Sequence, residues 1–378
     1  MKFSCLQDNL KQGLSIVSHL TAKNVNFPIL NNVLVKIDEK IIKFITTNLE
    51  VAINVGVRGK VDAAGEFTVP AKLFYDYIAL LPNDRVDLEV KENSIHIQSG
   101  SYDTKIKGQM AGDFPLLPSL NREKSYFVRG RDFKRALEQV IFAVSSNEIR
   151  PEISGVYFSF NSSRPGEIMM VGTDSYRLAE RKITILPAEL RQSSDFKKDI
   201  IVPFKTLTEV NHILSVLGTL GDDILEISVA ENQVLFAYDA VELIGRLIEG
   251  QYPNYRQIIP DNFQTKAIIC RDEFLKTIKS ASLFATGLND ISIRINVLSG
   301  DVKISSLNSQ TGEQMAALKA GIEGRDNEVT LNYKYILDFL NCISENEIEF
   351  KMIDAQNPCL LVPKDNKDYL YIAMPIRR

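Results

Sequence analysis

The residues able to do acid–base, nucleophilic or metal chemistry are few and scattered. Three histidines (His19, His96 and His212) and four cysteines (Cys5, Cys270, Cys342 and Cys359) are spread over 378 residues. None falls at H-x-x-x-H, H-x-H or C-x-x-C spacing, so no metal-ligand set is read. The cysteines read as reduced core thiols of a cytoplasmic protein, not as a disulfide framework. There is no G-x-x-x-x-G-K-[ST] loop, no G-x-G-x-x-G turn and no G-x-S-x-G elbow, hence no expected nucleotide cofactor or serine nucleophile. Asp174, within Gly172-Thr-Asp-Ser-Tyr-Arg-Leu, could be cast as a catalytic acid, but it lacks a partner carboxylate and reads as a turn residue. No catalytic residue is assigned.

The lysines carry more information. Lys72, Lys205 and Lys334 stand in TVPAKLFYDYIALL, IVPFKTLTEVNHIL and TLNYKYILDFLNCI, three similar segments roughly 130 residues apart. Each segment is a β-rich lead, a turn, a lysine at a helix start and an apolar helical stripe. A cation there opposes the helix dipole by about 0.3–1 kcal/mol. Three at equivalent positions point the helix starts at something anionic. Lys11, Lys23, Lys134, Arg135, Lys276 and Lys279 add charge on the polar faces of three further helices. Were all six helices to line one concave surface, it would attract a phosphate backbone without reading bases. The net charge of −4 argues against indiscriminate coating of nucleic acid, yet allows a basic inner face under an acidic exterior.

The elements that must hold these lysines repeat three times. Each copy opens with an amphipathic helix: Leu6, Leu10, Leu14, Val17 and Leu20, then Phe133, Ala136, Leu137, Val140, Ile141 and Val144, then Phe274, Ile278 and Ala281. Asp132 and Asp272 suit an N-cap or first turn. Strands follow at 33–37, 156–160 and 291–295. The second helices carry the stripes Leu73, Tyr77 and Leu81, then Leu207, Val210 and Leu214, then Ile336, Phe339 and Ile343. Strands at 86–90 and 94–98, 224–229 and 233–238, and 348–352 and 370–373 close the copies. Asp38-Glu39-Lys40, Glu92-Asn93 and Glu231-Asn232 read as hairpin turns.

The predicted fold is α+β, three tandem domains of two helices packed on antiparallel sheets, over residues 1–125, 126–253 and 254–378. Pro115, Pro118 and 121–125 mark one boundary, and the prolines of 252–262 mark the other. Apolar residues make up 45% and charged residues 24%, as in ordinary soluble proteins. No apolar run approaches the ~20 residues of a membrane span, and Met1-Lys2-Phe3-Ser4-Cys5 opens no signal peptide.

Several strings resemble those of bacterial sliding clamps, the β subunit of the replicative DNA polymerase. Thr173-Asp-Ser-Tyr-Arg-Leu-Ala resembles their T-D-G-H-R-L-A, and Gly250-Gln-Tyr-Pro-Asn-Tyr-Arg-Gln-Ile-Ile-Pro their G-R-F-P-D-Y-R-R-V-L-P. Met374-Pro-Ile-Arg-Arg resembles their M-P-M-R-L ending, and Arg150 followed by Ile153-Ser-Gly-Val their R-x-x-L-N-G. The likeness runs the whole length in order. It implies a head-to-tail homodimer whose six domains ring duplex DNA. It also implies a clamp loader, DNA polymerases with their exonuclease complex, DNA ligase and mismatch-repair proteins as partners, and no membrane, cofactor or metal.

The resemblance further implies a pocket for partner peptides between the second and third domains. One subsite would comprise Thr173, Ser175, Arg177, Leu178, Pro253, Gln257, Ile258, Ala373 and Met374; the other, Ile153, Asn332, Tyr335, Ile372, Pro375, Ile376 and Arg377. Ser175 replaces a usual glycine, Gln257 a frequent arginine and Arg378 a terminal apolar residue, which implies an altered peptide preference. Asn24 beside Lys23, Asn147 and Arg150 join the DNA-facing set, and Ile106 and Leu283 are implied at the dimer interface. Two other classes fit the sequence less well: a triplicated adaptor that never encircles DNA, which gives no reason for the repeated lysines, and an enzyme, for which no titratable cluster stands out.

Overall fold

The computed structural model describes residues 1–21, 27–38, 41–115, 120, 122, 124–145, 147, 149–162, 164–187, 195–219, 221 and 223–377. Six α-helices are present among them: α1 (Gln7–Leu20), α2 (Ala71–Leu80), α3 (Gly130–Val140), α4 (Phe204–Leu217), α5 (Arg271–Ser282) and α6 (Tyr333–Cys342). The repeat therefore holds, with two helices in each copy. Each copy differs from expectation at its opening, where a strand precedes the first helix: Lys2–Leu6, Ser125–Arg129 and Thr265–Cys270. Leu6 ends the first of these strands and is exposed instead of joining the helix stripe.

The chain packs into two compact units, and the three copies do not map onto them one to one. The first unit holds residues 1–134, 185–196 and 205–247. Its five-stranded antiparallel sheet runs Lys60–Ala63, Lys2–Leu6, Arg85–Lys91, Ser94–Ser99, Tyr102–Lys107. Its eight-stranded sheet joins two copies, in the order 125–129, 224–229, 233–238, 241–246, 51–57, 42–47, 32–37, 65–70. The seam is the antiparallel pairing of Val241–Arg246 with Val51–Val57, in register Val241 with Val55 through Gly245 with Val51.

The second unit holds residues 135–184, 197–204 and 248–378. Its nine-stranded sheet runs 198–203, 155–160, 167–173, 177–184, 369–373, 359–363, 347–352, 265–270, 321–324. Here the seam pairs Arg177–Thr184 with Tyr369–Ala373, from Arg177 opposite Ala373 to Arg181 opposite Tyr369. A four-stranded sheet runs 312–319, 301–308, 290–296, 327–332. Every strand pair is antiparallel, and adjacent copies share a sheet by backbone hydrogen bonding. That arrangement leaves no polar edge at the joint.

Helix periodicity decides the cores. Leu10, Leu14, Val17 and Leu20 of α1 are buried at three- and four-residue spacing, as are Leu207, Val210 and Leu214 of α4 and Ile336 and Phe339 of α6. In α2 the phase differs from the sequence reading. Ala71, Phe74 and Ile78 face inward while Leu73 is exposed. Phe74 packs edge-on against Phe44 of the strand beneath, and the larger ring takes the core side. Burial of Phe74 and Ile78 stabilises the unit by about 1.5–3 kcal/mol each. Gly172 marks a close approach in the second unit: a Cβ there would lie 2.4 Å from the Val140 carbonyl at the end of α3.

Glu92 and Glu231-Asn232 lie at hairpin turns as expected, Glu92 with a positive φ, while Glu39 and Lys40 lie outside the described residues. All four cysteines are free. Burial pushes the thiols of Cys5, Cys342 and Cys359 up to about 12, which keeps them protonated and inert. Cys270 departs from the core reading and is exposed.

Candidate functional site

The residues expected at a peptide site all fall in the second unit, most of them on three segments, with Ile153, Asn332 and Tyr335 on others. The first is the turn Thr173–Arg177. Thr173 Oγ1 donates to the Arg177 carbonyl at 2.7 Å, and Asp174 Oδ1 accepts from the backbone N–H groups of Tyr176 and Arg177 at 2.9 Å each. Asp174 is thus the turn aspartate expected from sequence. Ser175 sits at φ +78°, the left-handed region that favours glycine. Its hydroxyl accepts from Arg150 at 3.3 Å, and Arg150 also pairs with Glu152 at 3.0 Å. The charge of Arg150 is therefore engaged by Glu152 beside the Thr173–Arg177 turn.

The second segment is the chain end. Ile372 lies opposite Leu178 in the seam. Beyond it the Met374 N–H donates to the Tyr176 carbonyl at 2.8 Å and the Ile376 N–H to the Thr330 carbonyl at 2.9 Å. Those two bonds tie the segment to the Thr173–Arg177 turn and to strand Asn327–Asn332. The third segment comprises Pro253 and the short 3-10 turn Tyr255–Ile258, with Gln257 and Ile258 exposed on it.

Burial sorts the predicted set into layers. Ile153, Leu178 and Ile372 belong to a buried cluster with Met169, Val171, Tyr252 and Tyr255, while Thr173 and Ala373 are buried beside it. These five form a floor and offer no free surface. Pro253, Asn332, Tyr335, Met374, Pro375 and Ile376 are partly exposed, and Ser175, Gln257, Ile258 and Arg377 are exposed. Asn332 has a local task as well, since its side-chain oxygen caps α6 by accepting from the Lys334 N–H at 3.0 Å. Arg378 lies outside the described residues.

Arg177 is the organising charge. It donates to Asp174 at 3.0 Å, to the Phe142 carbonyl at 2.6 Å and to Asp338, and its guanidinium lies 4.7 Å over the Tyr335 ring. Phe142 and Asp338 were missed from sequence. No local motif links them to Arg177, which lies 161 positions from Asp338. Below, the Tyr255 hydroxyl donates to Glu180 at 2.6 Å, and burial together with that carboxylate raises the Tyr255 phenol well above its ordinary value. Tyr157 stacks on Tyr252 at 4.9 Å, so the floor is stiffened by aromatic packing. The arrangement can take an extended peptide: apolar Pro, Ile and Met walls beside a few fixed polar groups.

The lysines hold their expected place. Lys72, Lys205 and Lys334 are each the second residue of their helix, and each is exposed. Lys11, Lys276 and Lys279 are exposed on α1 and α5; Lys134 on α3 is partly exposed. Among the described residues no ion pair holds Lys11, Lys72, Lys276, Lys279 or Lys334. Arg135 differs, since it is bound to Glu345 and Ser344 at 3.0 Å. Asn147 is exposed, and Lys23 and Asn24 lie outside the described residues.

At the implied interface, Leu283 is 74% exposed at the end of α5, whereas Ile106 is 6% exposed. Ile106 alternates inward from its strand and pairs with Ile95, so its side chain serves its own core. What Tyr102–Lys107 does present is the unpaired backbone edge of the five-stranded sheet. Among the described residues no helix is long and apolar enough to cross a membrane, and no group of three or more His, Cys, Asp or Glu could hold a metal ion.

Comparison with known proteins matches three consecutive family models: the DNA polymerase III beta subunit N-terminal domain at residues 1–118, the central domain at 128–254 and the C-terminal domain at 256–377. The chain is 30% identical over 389 residues to a beta sliding clamp of Staphylococcus aureus, covering 100% of this chain and 99% of the relative. It superposes on the DNA polymerase sliding clamp of Bacillus subtilis with TM-score 0.92 at 26% identity, over 100% of this chain and 99% of that one. The DNA polymerase III beta subunit of Thermotoga maritima gives TM-score 0.91 at 25% identity, with the same coverage. With three domain models in order along one chain, this protein belongs to the DNA polymerase III beta subunit family and is a DNA sliding clamp, a processivity factor and not an enzyme.

Proposed function

We propose that two copies of this chain close head to tail into a ring of six domains around duplex DNA and there tether a polymerase. The observation that carries this reading is the threefold placement of an exposed lysine as the second residue of α2, α4 and α6, against each helix dipole. Such charges give weak, salt-sensitive contacts to a phosphate backbone. A topologically linked protein needs no more, because tight contacts would stop it sliding. Tethering raises the effective concentration of the polymerase at the primer end.

Ring closure is supported by two open sheet edges. Tyr102–Lys107 ends the five-stranded sheet of one unit, and Gly312–Lys319 ends the four-stranded sheet of the other. Exposed edges of this length pair with another chain unless they are covered. Leu283, Leu307 and Met315 supply exposed apolar surface in the second unit. The partner edge is thus a second copy, and Ile106 contributes only through its backbone.

The pocket of the second unit would dock short linear peptides of the clamp loader, polymerases, DNA ligase and mismatch-repair proteins in the cytoplasm. Arg150, Ser175 and Gln257 on its rim would set the preference. The test is retention after loading with a clamp loader and ATP, on nicked circular DNA and on the same DNA linearised. Retention on the circle with rapid loss from free ends is expected. Equal retention on both would reduce the protein to ordinary contact binding and sink the ring.

A further inference from the structure

The seam of the first unit repeats, bond for bond, the turn that heads the seam of the second. Thr47 Oγ1 accepts from the Leu49 N–H at 3.0 Å and donates to the Val51 carbonyl at 2.9 Å, as Thr173 does for Ser175 and Arg177. Asn48 Oδ1 accepts from the N–H groups of Glu50 and Val51, as Asp174 does from Tyr176 and Arg177. Leu49 has φ +76° where Ser175 has φ +78°. The Arg246 N–H donates to the Glu50 carbonyl at 3.0 Å, the counterpart of Met374 donating to Tyr176. Upstream of each seam a 3-10 turn opens on a proline, Pro28–Asn31 in the first unit and Pro151–Ile153 in the second.

The side chains on the two frames differ. Phe27 precedes the first 3-10 turn where Arg150 precedes the second, and Phe27 and Leu49 are 57% and 55% exposed. Val51 stands in the place of Arg177. Glu209, the sixth residue of α4 as Asp338 is of α6, is met instead by His19 at 2.9 Å, whose ring stacks on His212. One cross-strand pair of each seam carries a carboxylate: Glu180 opposite Leu370 in the second, Glu242 opposite Asn54 in the first. Over the second pair the chain places its own Tyr255, whose hydroxyl donates to Glu180 at 2.6 Å. Beside the first pair lies a cavity of about 400 Å³, lined by Asn54 and Glu242 with Lys43, Arg122, Phe127 and Glu226. Arg122 and the Asn54 amide donate to Glu242, which leaves that carboxylate two of its roughly four acceptor positions. Asn54 Oδ1 accepts from no group among the described residues.

We propose that this cleft is a second dock for extended peptides of partner proteins, one that selects a tyrosine. Its occupant lays apolar side chains over Phe27 and Leu49 and sets a tyrosine into the cavity, the hydroxyl donating to Glu242 as Tyr255 donates to Glu180. Ala52 and Asn54 share one face of their strand, so the buried floor at Ala52 runs on into the cavity. With Phe27, Leu49 and Val51 in place of Arg150, Ser175 and Arg177, the cleft asks for no acidic residue in the peptide. The proposal rests on the reading of the second-unit pocket as a peptide site, because it is that site's backbone frame that recurs.

The test uses the full-length protein and short fluorescein-labelled peptides rich in leucine and phenylalanine, with one tyrosine or with phenylalanine in its place. Native mass spectrometry counts the peptides bound per chain, and anisotropy gives their affinity. The wild type should bind two, Ile258→Glu, which closes the second-unit pocket, should bind one, and Ile258→Glu/Leu49→Glu none. In Ile258→Glu the tyrosine peptide should bind about tenfold tighter than its phenylalanine twin, and adding Glu242→Leu should remove that ratio. Leu49 and Ile258 are exposed, far-UV circular dichroism confirms folding, and Phe27→Glu serves where Leu49→Glu is not folded. Loss of all binding in Ile258→Glu would overturn this proposal and leave the second-unit pocket standing. Binding untouched by Ile258→Glu but lost in Leu49→Glu would remove that pocket and leave the dock proposed here. Binding that neither variant alters, or none at all, would overturn both. A change of oligomeric state in Leu49→Glu without peptide would assign the cleft to a second copy of the chain and likewise overturn the proposal.

Discussion

Replacing Arg177 with Met keeps most of the side chain's volume and removes its charge, so the variant isolates what the guanidinium does. Its side chain is only 13% exposed, and it serves three acceptors at once. The three do not weigh equally. The Phe142 carbonyl, accepting at 2.6 Å, would be left without this donor at about 1–2 kcal/mol. Asp174 is 18% exposed and would keep its two backbone donors, which limits that loss to about 1.5 kcal/mol. Asp338 is 41% exposed, and water replaces much of what it loses, so this bond is worth under about 1 kcal/mol. The guanidinium over Tyr335 at 4.7 Å adds about 0.5–1 kcal/mol. The expected total is about 3–5 kcal/mol, lost locally at the sheet seam. Native-state hydrogen exchange reads it as a drop in the opening free energy of Arg177–Thr184. Double-mutant cycles should give a coupling of Arg177 with Asp174 larger than its coupling with Asp338. A total loss below about 1 kcal/mol would refute the reasoning, because it would mean that burying the charge cancels the contacts it makes.

Two further expectations follow from the same unit. At Ser175, with φ +78°, substitution by Gly relieves about 1 kcal/mol of left-handed strain and adds about 0.4–1 kcal/mol of unfolded-state entropy. Denaturation midpoints should therefore barely move, while affinities across a peptide panel change rank for Ser175→Gly and Gln257→Arg; unchanged relative affinities would remove both residues from the account of preference. Glu349 is held by Lys351 at 2.6 Å and Lys266 at 3.1 Å; burial pushes its carboxyl up, but these lysines outweigh burial and leave it below the usual range. A depressed folded value stabilises above the unfolded value near pH 4.3, and that stability is lost as pH falls through the folded value. Urea midpoints of Glu349→Gln should thus fall less steeply on acidification than those of the wild type, and identical acid limbs would contradict the assignment.

The sequence by itself determined the repeat, the six helices, the lysine at the start of three of them, and most strands, because period 3.6 and period 2 patterns are local and each copy restates them. The strings around Thr173, Gly250 and Met374 carried the family resemblance, because each is a short contiguous run of residues. Only the tertiary structure decided the rest. The phase of α2 could not be read, since Leu73 and Phe74 are both apolar and the ring against Phe44 settles which turns inward. The opening strands Lys2–Leu6, Ser125–Arg129 and Thr265–Cys270 are five or six residues long and owe their existence to distant partners such as Arg85–Lys91. Sheet sharing between copies is a matter of edges meeting in space, which no periodicity encodes. The partners of Arg177 and the pairing of His19 with His212 belong to this class. Asp338 lies 161 positions from Arg177 and Glu209 lies 190 from His19, so this chemistry comes into being only when the chain has folded.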